Sequence, residues 1–230
     1  MGHVSPGGRD ASVLVVCGMD FEARLAAAPG VATLYGFRAG ALQAALEQGD
    51  WPRCAGVISF GVAGGLEPGL APGAVVLADG VYDGTSLHPA DADWLGALRR
   101  ALPQARVGSL AGADAAVTDL AGKRALHQRT GALGVDMESH LAARFAQARG
   151  LRFAACRVVI DPADRAVPPA ALAGMAADGS TDVPAVLRSL LRAPGQIGGL
   201  LRLARDASAA RATLKSVRGR VGAGFALPAG

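Results

Sequence analysis

The sequence predicts an α/β fold, one domain carrying a basic helical segment at its C-terminal end. Three observations support this. Apolar runs of strand length at residues 12–17, 55–60 and 153–160 alternate with segments at 91–101, 119–130 and 136–145 whose apolar residues recur at helical spacing. The 230 residues are enough for one sizeable core plus an appendage. Between residues 186 and 220, eight basic residues face one acid, Asp206, so the segment is +7 and the remainder of the +4 chain is about −3. The expected division is a flexible leader at 1–10, an α/β domain at 11–182, a basic helical segment at 183–220 and a tail at 221–230.

In chain order, residues 1–10 are Gly-rich and polar and are expected to be disordered. Residues 12–17 (SVLVVC) read as a buried strand. Gly18 breaks it, and Met19-Asp-Phe-Glu22 starts a helix. A strand, a glycine and a helix start in succession leave backbone N–H groups free for an anion or polar ligand. Glu22, in the first turn, fits a helix-dipole partner and a catalytic group equally well. Residues 31–35 form a short strand, 36–40 a turn and 41–47 a helix. Arg38, between glycines at that helix start, is a surface residue or an anion contact.

Residues 55–60 (AGVISF) form a second buried strand that runs into Gly61-Val-Ala-Gly-Gly65, read as a Gly-rich turn. This is no dinucleotide fingerprint, because the G-x-G-x-x-G spacing and a following helix are both missing. Such a turn lets backbone approach a ligand closely. Residues 73–79 resume as a strand, 91–101 form a helix, 107–118 a strand with glycines, and 119–130 a helix on which His127 is a surface residue. The helical run from Asp136 includes Glu138. The run 153–160 is a buried strand ending at Asp161 before Pro162, and an acid at the carboxyl end of a strand in an open α/β sheet faces the usual ligand position. Residues 171–180 are loop-like. Near 186–191 lies a helical piece, and Leu200, Leu203, Ala207, Ala210, Leu214 and Val217 then form a helical seam with the arginines off that line. That seam suits a helix packed on the core with a solvated basic face, or a basic amphipathic helix resting on an anionic membrane. The final ten residues read as a loose tail.

Several classes are excluded or disfavoured. No apolar run spans a bilayer and residues 1–10 have no hydrophobic core of a signal peptide, so a cytoplasmic protein is expected. Cys17, Cys54 and Cys156, odd in number and widely spaced in apolar runs, read as buried thiols, with no metal site indicated. The basic segment has no interleaved aromatics, which argues against nucleic acid.

Four segments together, Gly18-Met-Asp-Phe-Glu22, Phe60-Gly-Val-Ala-Gly-Gly-Leu66, Val135-Asp-Met-Glu138 and Arg157-Val-Val-Ile-Asp161-Pro-Ala-Asp164, resemble the nucleoside phosphorylase and nucleosidase superfamily. That superfamily includes methylthioadenosine/S-adenosylhomocysteine nucleosidase. The resemblance spans roughly residues 12–170. It implies a three-layer core with a mixed central sheet flanked by helices, and cleavage of a nucleoside's N-glycosidic bond without a cofactor, phosphate being a possible co-substrate. Asp136-Met-Glu-Ser139, the run 161–168 and the Arg-rich end further resemble the hopanoid-associated phosphorylases. Those are thought to release adenine from adenosylhopane, a triterpene lipid joined to adenosine.

The resemblance implies a role for each matched residue. Asp161 faces the purine and protonates or hydrogen-bonds N7, Glu138 binds the ribose hydroxyls, Met137 packs on the sugar, and Glu22 activates water. Gly18 and Gly64 lie at the substrate, and Gly61 with Arg38 at a phosphate. Val62, Ser59, Ala116 and Ile160 depart from residues that relatives use for the nucleophile and base. The subgroup's name favours phosphorolysis and the retained Glu22 favours hydrolysis; phosphorolysis is the expected reaction, with hydrolysis as its alternative. A small soluble nucleoside as substrate, or a non-catalytic binding protein on the same fold, are the alternatives. The superfamily also implies a homo-oligomer, and an apolar substrate implies peripheral membrane contact through the basic C-terminus.

Overall fold

A computed structural model describes residues 3–4, 12–36, 39–51, 53–173, 184, 188–189 and 192–229. The strands are β1 (His3–Val4), β2 (Val13–Cys17), β3 (Val31–Tyr35), β4 (Gly56–Gly65), β5 (Val75–Tyr82), β6 (Leu87–Pro89), β7 (Arg106–Gly112), β8 (Gly134–Asp136) and β9 (Arg152–Asp161). The helices are α1 (Asp20–Ala26), α2 (Ala39–Gln48), α3 (Ala92–Ala101), α4 (Leu120–Thr130), α5 (Ser139–Arg149), α6 (Pro169–Ala173) and α7 (Ile197–Arg220).

The strands form one mixed sheet in the order β1-β3-β2-β4-β8-β7-β5-β6, with β9 paired to both β4 and β5. Because β4 also reaches β5 through β8 and β7, strands β4, β9, β5, β7 and β8 close into a ring. Side chains alternate along a strand, so β2 sends Leu14 and Val16 to one face and Val13, Val15 and Cys17 to the other. The first face packs on α2 through Leu42 and Leu46 and on α5 through Leu141 and Phe145. The second packs on α1 through Ala23, on α3 through Trp94 and Leu98, and on α7 through Ala210, Leu214 and Val217. Two helical layers therefore enclose the sheet, as the resemblance implies.

Helix ends follow their sequence signals. The side chains of Asp91 and Asp119 accept from Trp94 N and Gly122 N at 2.8 Å each, capping α3 and α4. Gly131 and Gly150 terminate α4 and α5 in the left-handed conformation that glycine adopts without strain.

Four expectations need correction. Gly61-Val-Ala-Gly-Gly65 is not a turn but the second half of β4, hydrogen-bonded to β9 and β8. Its glycines answer to side chains that cross the strand, not to a reversal of the chain. The leader is not wholly without structure, since His3–Val4 pairs with β3. The strand expected over 107–118 stops at Gly112. The C-terminal tail is not loose. Val221 and Phe225 are buried, Trp94 donates its indole N–H to Phe225 O at 2.8 Å, and the Arg218 guanidinium stacks 4.4 Å from the Phe225 ring centroid. An aromatic ring eight residues past the last seam position gives this segment apolar area to bury. In the region expected to be loop-like, α6 extends to Ala173, and residues 174–180 lie outside the described residues, as do 186–187 and 190–191 of the expected helical piece.

Candidate active site

The site is organised by Arg157, which stands in the middle of β9 with 1 % of its surface exposed. A guanidinium so placed needs partners, because an unpaired buried charge is prohibitively unfavourable. Its Nε lies 3.1 Å from Asp136 Oδ2 and its Nη2 3.1 Å from Glu138 Oε2. It also donates to Ser59 Oγ at 2.5 Å and to Val62 O at 3.2 Å. Burial alone would lower its proton affinity, but Asp136, Glu138 and Glu22 outweigh that and hold it firmly charged.

Asp136 and Glu138 divide the work at the start of α5. Asp136 Oδ1 accepts from Glu138 N at 2.9 Å and Ser139 N at 2.7 Å, and its Oδ2 accepts from Ser139 Oγ at 2.6 Å. The helix end is thus satisfied by Asp136, leaving the Glu138 carboxylate to Arg157 and the cavity. Burial pushes the Glu138 carboxyl up to about 8, against the pull of Arg157 and with a further upward push from Asp136 and Glu22. Gly18 is required by this arrangement, since a β-carbon there would stand 2.6 Å from Glu138 Oε1.

Glu22 curls back over the first turn of α1. Its Oε2 accepts from Gly18 N and Met19 N at 2.9 Å each, and its Oε1 accepts from Val62 N at 2.7 Å. The backbone donors at the strand–helix junction are therefore filled by the protein's own carboxylate. Burial raises the Glu22 carboxyl above the usual range, while Arg157 and the three N–H donors oppose the shift. A β-carbon at Gly61 would lie 2.5 Å from Glu22 Oε1, so that glycine gives Glu22 room.

Asp161 comes to the same cavity from the end of β9. The β4–β9 register shifts between Ala63 and Gly64, which sets Asp161 opposite Gly64. Its Oδ2 accepts from Lys123 Nζ at 2.5 Å. Burial raises its carboxyl, opposed first by Lys123.

The cavity measures about 580 Å³, within the range of small-molecule sites. Gly18, Glu22, Gly64, Met137, Glu138 and Asp161 all line it. Gly61 lies beneath Glu22 and is not among the lining residues, and Arg38 is outside the described residues. Val62, Ala116 and Ile160 line the cavity, whereas Ser59 is buried behind it against Arg157 and Ser139. A further wall is apolar, formed by Leu200, Leu203, Ala204 and Ala207 of α7. His127 takes no part; its Nδ1 lies 2.9 Å from Ala132 O.

Sequence reasoning assigned no role to Arg157 or Lys123. For Arg157 a signal existed: a lone cation inside an apolar strand run needs buried acids. Lys123, beside Arg124 on a helix, looks like part of a solvated face.

Comparison with known proteins identifies the family and the fold. Residues 13–192 match the Phosphorylase superfamily, and the chain belongs to it. It is an enzyme of the nucleoside phosphorylase and nucleosidase type. The 5'-methylthioadenosine/S-adenosyl homocysteine nucleosidase of Helicobacter pylori shares the fold at 15 % identity, with a TM-score of 0.58 over 68 % of this chain and 87 % of that one. The S-adenosylhomocysteine nucleosidase of Streptococcus pyogenes aligns at 15 % identity and a TM-score of 0.57, covering 86 % of this chain and 97 % of the other. Futalosine hydrolase of Helicobacter pylori aligns at 15 % identity and a TM-score of 0.58, over 67 % and 86 %. No curated protein matches the sequence.

Proposed function

We propose that the protein hydrolyses the N-glycosidic bond of an adenine nucleoside carrying a large apolar 5′ group, adenosylhopane being the substrate that the resemblance to hopanoid-associated phosphorylases implies. One observation carries the reading: a single cavity joins the acidic side chains of Glu22, Glu138 and Asp161, with Asp136 beside them, to the apolar stripe of α7. The acids serve the bond that breaks, and the stripe offers apolar surface to a lipid body.

In the reaction, Glu22 takes a proton from water and the water oxygen bonds to C1′. The C1′–N9 bond breaks, its electron pair passing into the purine, while Asp161 gives a proton to N7 so that adenine leaves neutral. Glu138 accepts from the ribose hydroxyls and favours the positive charge developing on the sugar, and Met137 packs against the ring. Water is favoured over phosphate by the local charge. Glu22 already occupies the N–H groups of Gly18, Met19 and Val62, and Arg157, the guanidinium among these groups, is committed to Asp136 and Glu138. A phosphate would meet carboxylates where it needs cations.

The test is adenine release from adenosylhopane with and without phosphate, beside methylthioadenosine and adenosylhomocysteine. The expected result is phosphate-independent release, with free ribosylhopane as product and slow turnover of the small nucleosides. Release that requires phosphate would overturn hydrolysis, and faster turnover of the small nucleosides would overturn the lipid substrate.

The same reading includes contact with an anionic membrane. Ile197 and Leu201 are 49 % and 60 % exposed, one turn apart on α7; Arg202 and Arg205 on the same helix are exposed, as are Arg188 and Arg192 before it in the chain. Exposed apolar side chains on a helix rich in exposed arginines suit an anionic lipid surface. The Ile197→Ser/Leu201→Ser double variant should sediment less with phosphatidylglycerol vesicles than the unmodified protein; equal sedimentation would remove this surface from the proposal.

A further inference from the structure

Lys123 is a buried cation that the mechanism above does not use. Its side chain is 0 % exposed, and Nζ donates to Asp161 Oδ2 at 2.5 Å, Pro162 O at 2.8 Å and Arg165 O at 2.9 Å. An ammonium has three protons, and all three are used here. Two of them hold the loop that follows Asp161, and the third binds Asp161 itself. Asp119 caps the helix that carries Lys123, accepting from Gly122 N at 2.8 Å, so the cation stands on a well-anchored first turn of α4.

From this geometry we infer that Lys123 is a positioning residue for the departing base: it fixes Oδ2 of Asp161, leaves Oδ1 for the purine, and stabilises the carboxylate that forms as the proton moves to N7. The inference rests on the proposed N-glycosidic cleavage and gives that reading its leaving-group half. The C1′–N9 pair goes to the purine, the proton on Asp161 Oδ1 goes to N7, and the resulting carboxylate remains paired with the Lys123 ammonium, which keeps its own protons. A cation beside an acid in a water-poor site strengthens that acid and requires no reorganisation when the proton leaves. Asp161 would otherwise be a poor donor, since its burial favours the protonated form and Lys123 is the chief group opposing it. The two carbonyl bonds prevent the ammonium from swinging away from Oδ2, which an exposed lysine would do freely.

The role separates from simple support of the fold by the choice of leaving group. Lys123→Met keeps a straight apolar side chain, and Lys123→Arg keeps the charge. Each is compared with the unmodified protein on the adenine nucleoside and on the 4-nitrophenyl glycoside bearing the same 5′ group, whose phenolate leaves without protonation. For Lys123→Met, kcat for adenine release should fall about 10²-fold or more with KM nearly unchanged, while nitrophenolate release changes by less than about threefold. The high-pH limb of kcat should move to higher pH, because Asp161 loses the cation that strengthens it as an acid. Lys123→Arg should recover a substantial part of the adenine rate. Equal losses on both substrates, or an unmoved limb, would overturn the inference and reduce Lys123 to a structural tie. If Lys123→Met fails to fold, Lys123→Arg with a pH limb identical to that of the unmodified protein and an adenine-specific loss as large as expected for Met would equally overturn it. Carboxyl infrared difference spectra give a readout without turnover, in which Asp161 should titrate at higher pH in Lys123→Met. Absence of adenine release by the unmodified protein would instead refute the proposed reaction, leaving the titration to decide the Lys123–Asp161 coupling.

Discussion

Replacing Arg157 with methionine tests the organising claim about the site. Methionine keeps an unbranched apolar stem but removes the partner of Asp136 and Glu138 and the donor to Ser59. Breaking a buried ion pair from one side costs about 3–5 kcal/mol. The loss divides by residue. Asp136 keeps its donors from Glu138 N, Ser139 N and Ser139 Oγ, so it remains hydrogen-bonded. Glu138 has no such reserve, and burial pushes its carboxyl up to about 8 even with Arg157 present. Without Arg157 its folded-state value rises further. A carboxyl raised in the folded state carries stability that is present at low pH and is lost as pH rises, so the deficit of the variant grows as pH passes through 8. At pH 6 the expected loss is near the lower end, about 3 kcal/mol. For a chain of this size that corresponds to a fall in Tm of roughly 6–12 °C. At pH 9 the loss should approach the upper end, about 5 kcal/mol. Urea and thermal unfolding followed by circular dichroism at the two pH values give the measurement. A loss below about 1 kcal/mol would refute the claim that the guanidinium holds these acids, and an equal loss at both pH values would refute the assignment of the deficit to Glu138.

Three further predictions follow from the same contacts. Glu22→Gln presents one amide nitrogen to N–H donors that now meet carboxylate oxygens, and adenine release in single-turnover assays should fall by about 10²–10⁴-fold; a fall of less than about tenfold would remove Glu22 as the base. Gly18→Ala puts a β-carbon 2.6 Å from Glu138 Oε1, a carboxylate that Arg157 keeps from yielding, so KM should rise. Gly40→Ala, with nothing within 4 Å of the added atom, should leave KM unchanged, and a matching rise in both would sink the steric account. The Asp83 carboxyl is held below the usual range, first by its hydrogen bond with His88 at 2.8 Å and then by Thr85 and Ser86. A depressed carboxyl contributes stability above its unfolded value of about 4 and loses it as pH falls; Asp83→Asn should therefore destabilise in urea at pH 7 and progressively less toward pH 3, and a constant difference would contradict this.

Elements with strong periodicity were legible in the sequence: β2, β9, α3 and α4 lie within a residue or two of their expected limits. Glycine was the ambiguous signal. The run Gly61–Gly65 serves a strand whose neighbours are carboxylates, but a missing side chain marks a chain reversal and a close approach alike, and local sequence cannot separate them. The tail from Val221 was misread for a related reason, since Phe225 finds Trp94 and Phe60 across long stretches of chain that no local pattern reports. Of the site, the acids were legible through their motifs, and the two cations that hold them were not. Arg157 and Asp136 are joined through strand pairing of β4 with β9 and β8, and Lys123 reaches Asp161 from a separate helix.

The cations explain why this many acids can share one cavity. Isolated, Glu22, Asp136, Glu138 and Asp161 would each resist burial in their charged form. Arg157 lies within 3.1 Å of two of them and Lys123 within 2.5 Å of a third, while Glu22 is held by three backbone N–H groups. Each acid has a different kind of partner, and the partner decides its chemistry. Backbone donors leave Glu22 able to take up a proton without an ion pair to break. Glu138, paired with an arginine that stays charged, is suited to accepting hydroxyl hydrogen bonds. Asp161, paired with an ammonium on one oxygen only, is suited to surrendering a proton from the other. Asp136 also lines the cavity but spends both oxygens on the helix end and on Arg157. The Asp136-Met-Glu138 spacing thus matters because it separates an acid committed to the helix end from one whose carboxylate faces Arg157 and the cavity, at the point where β8 turns into α5.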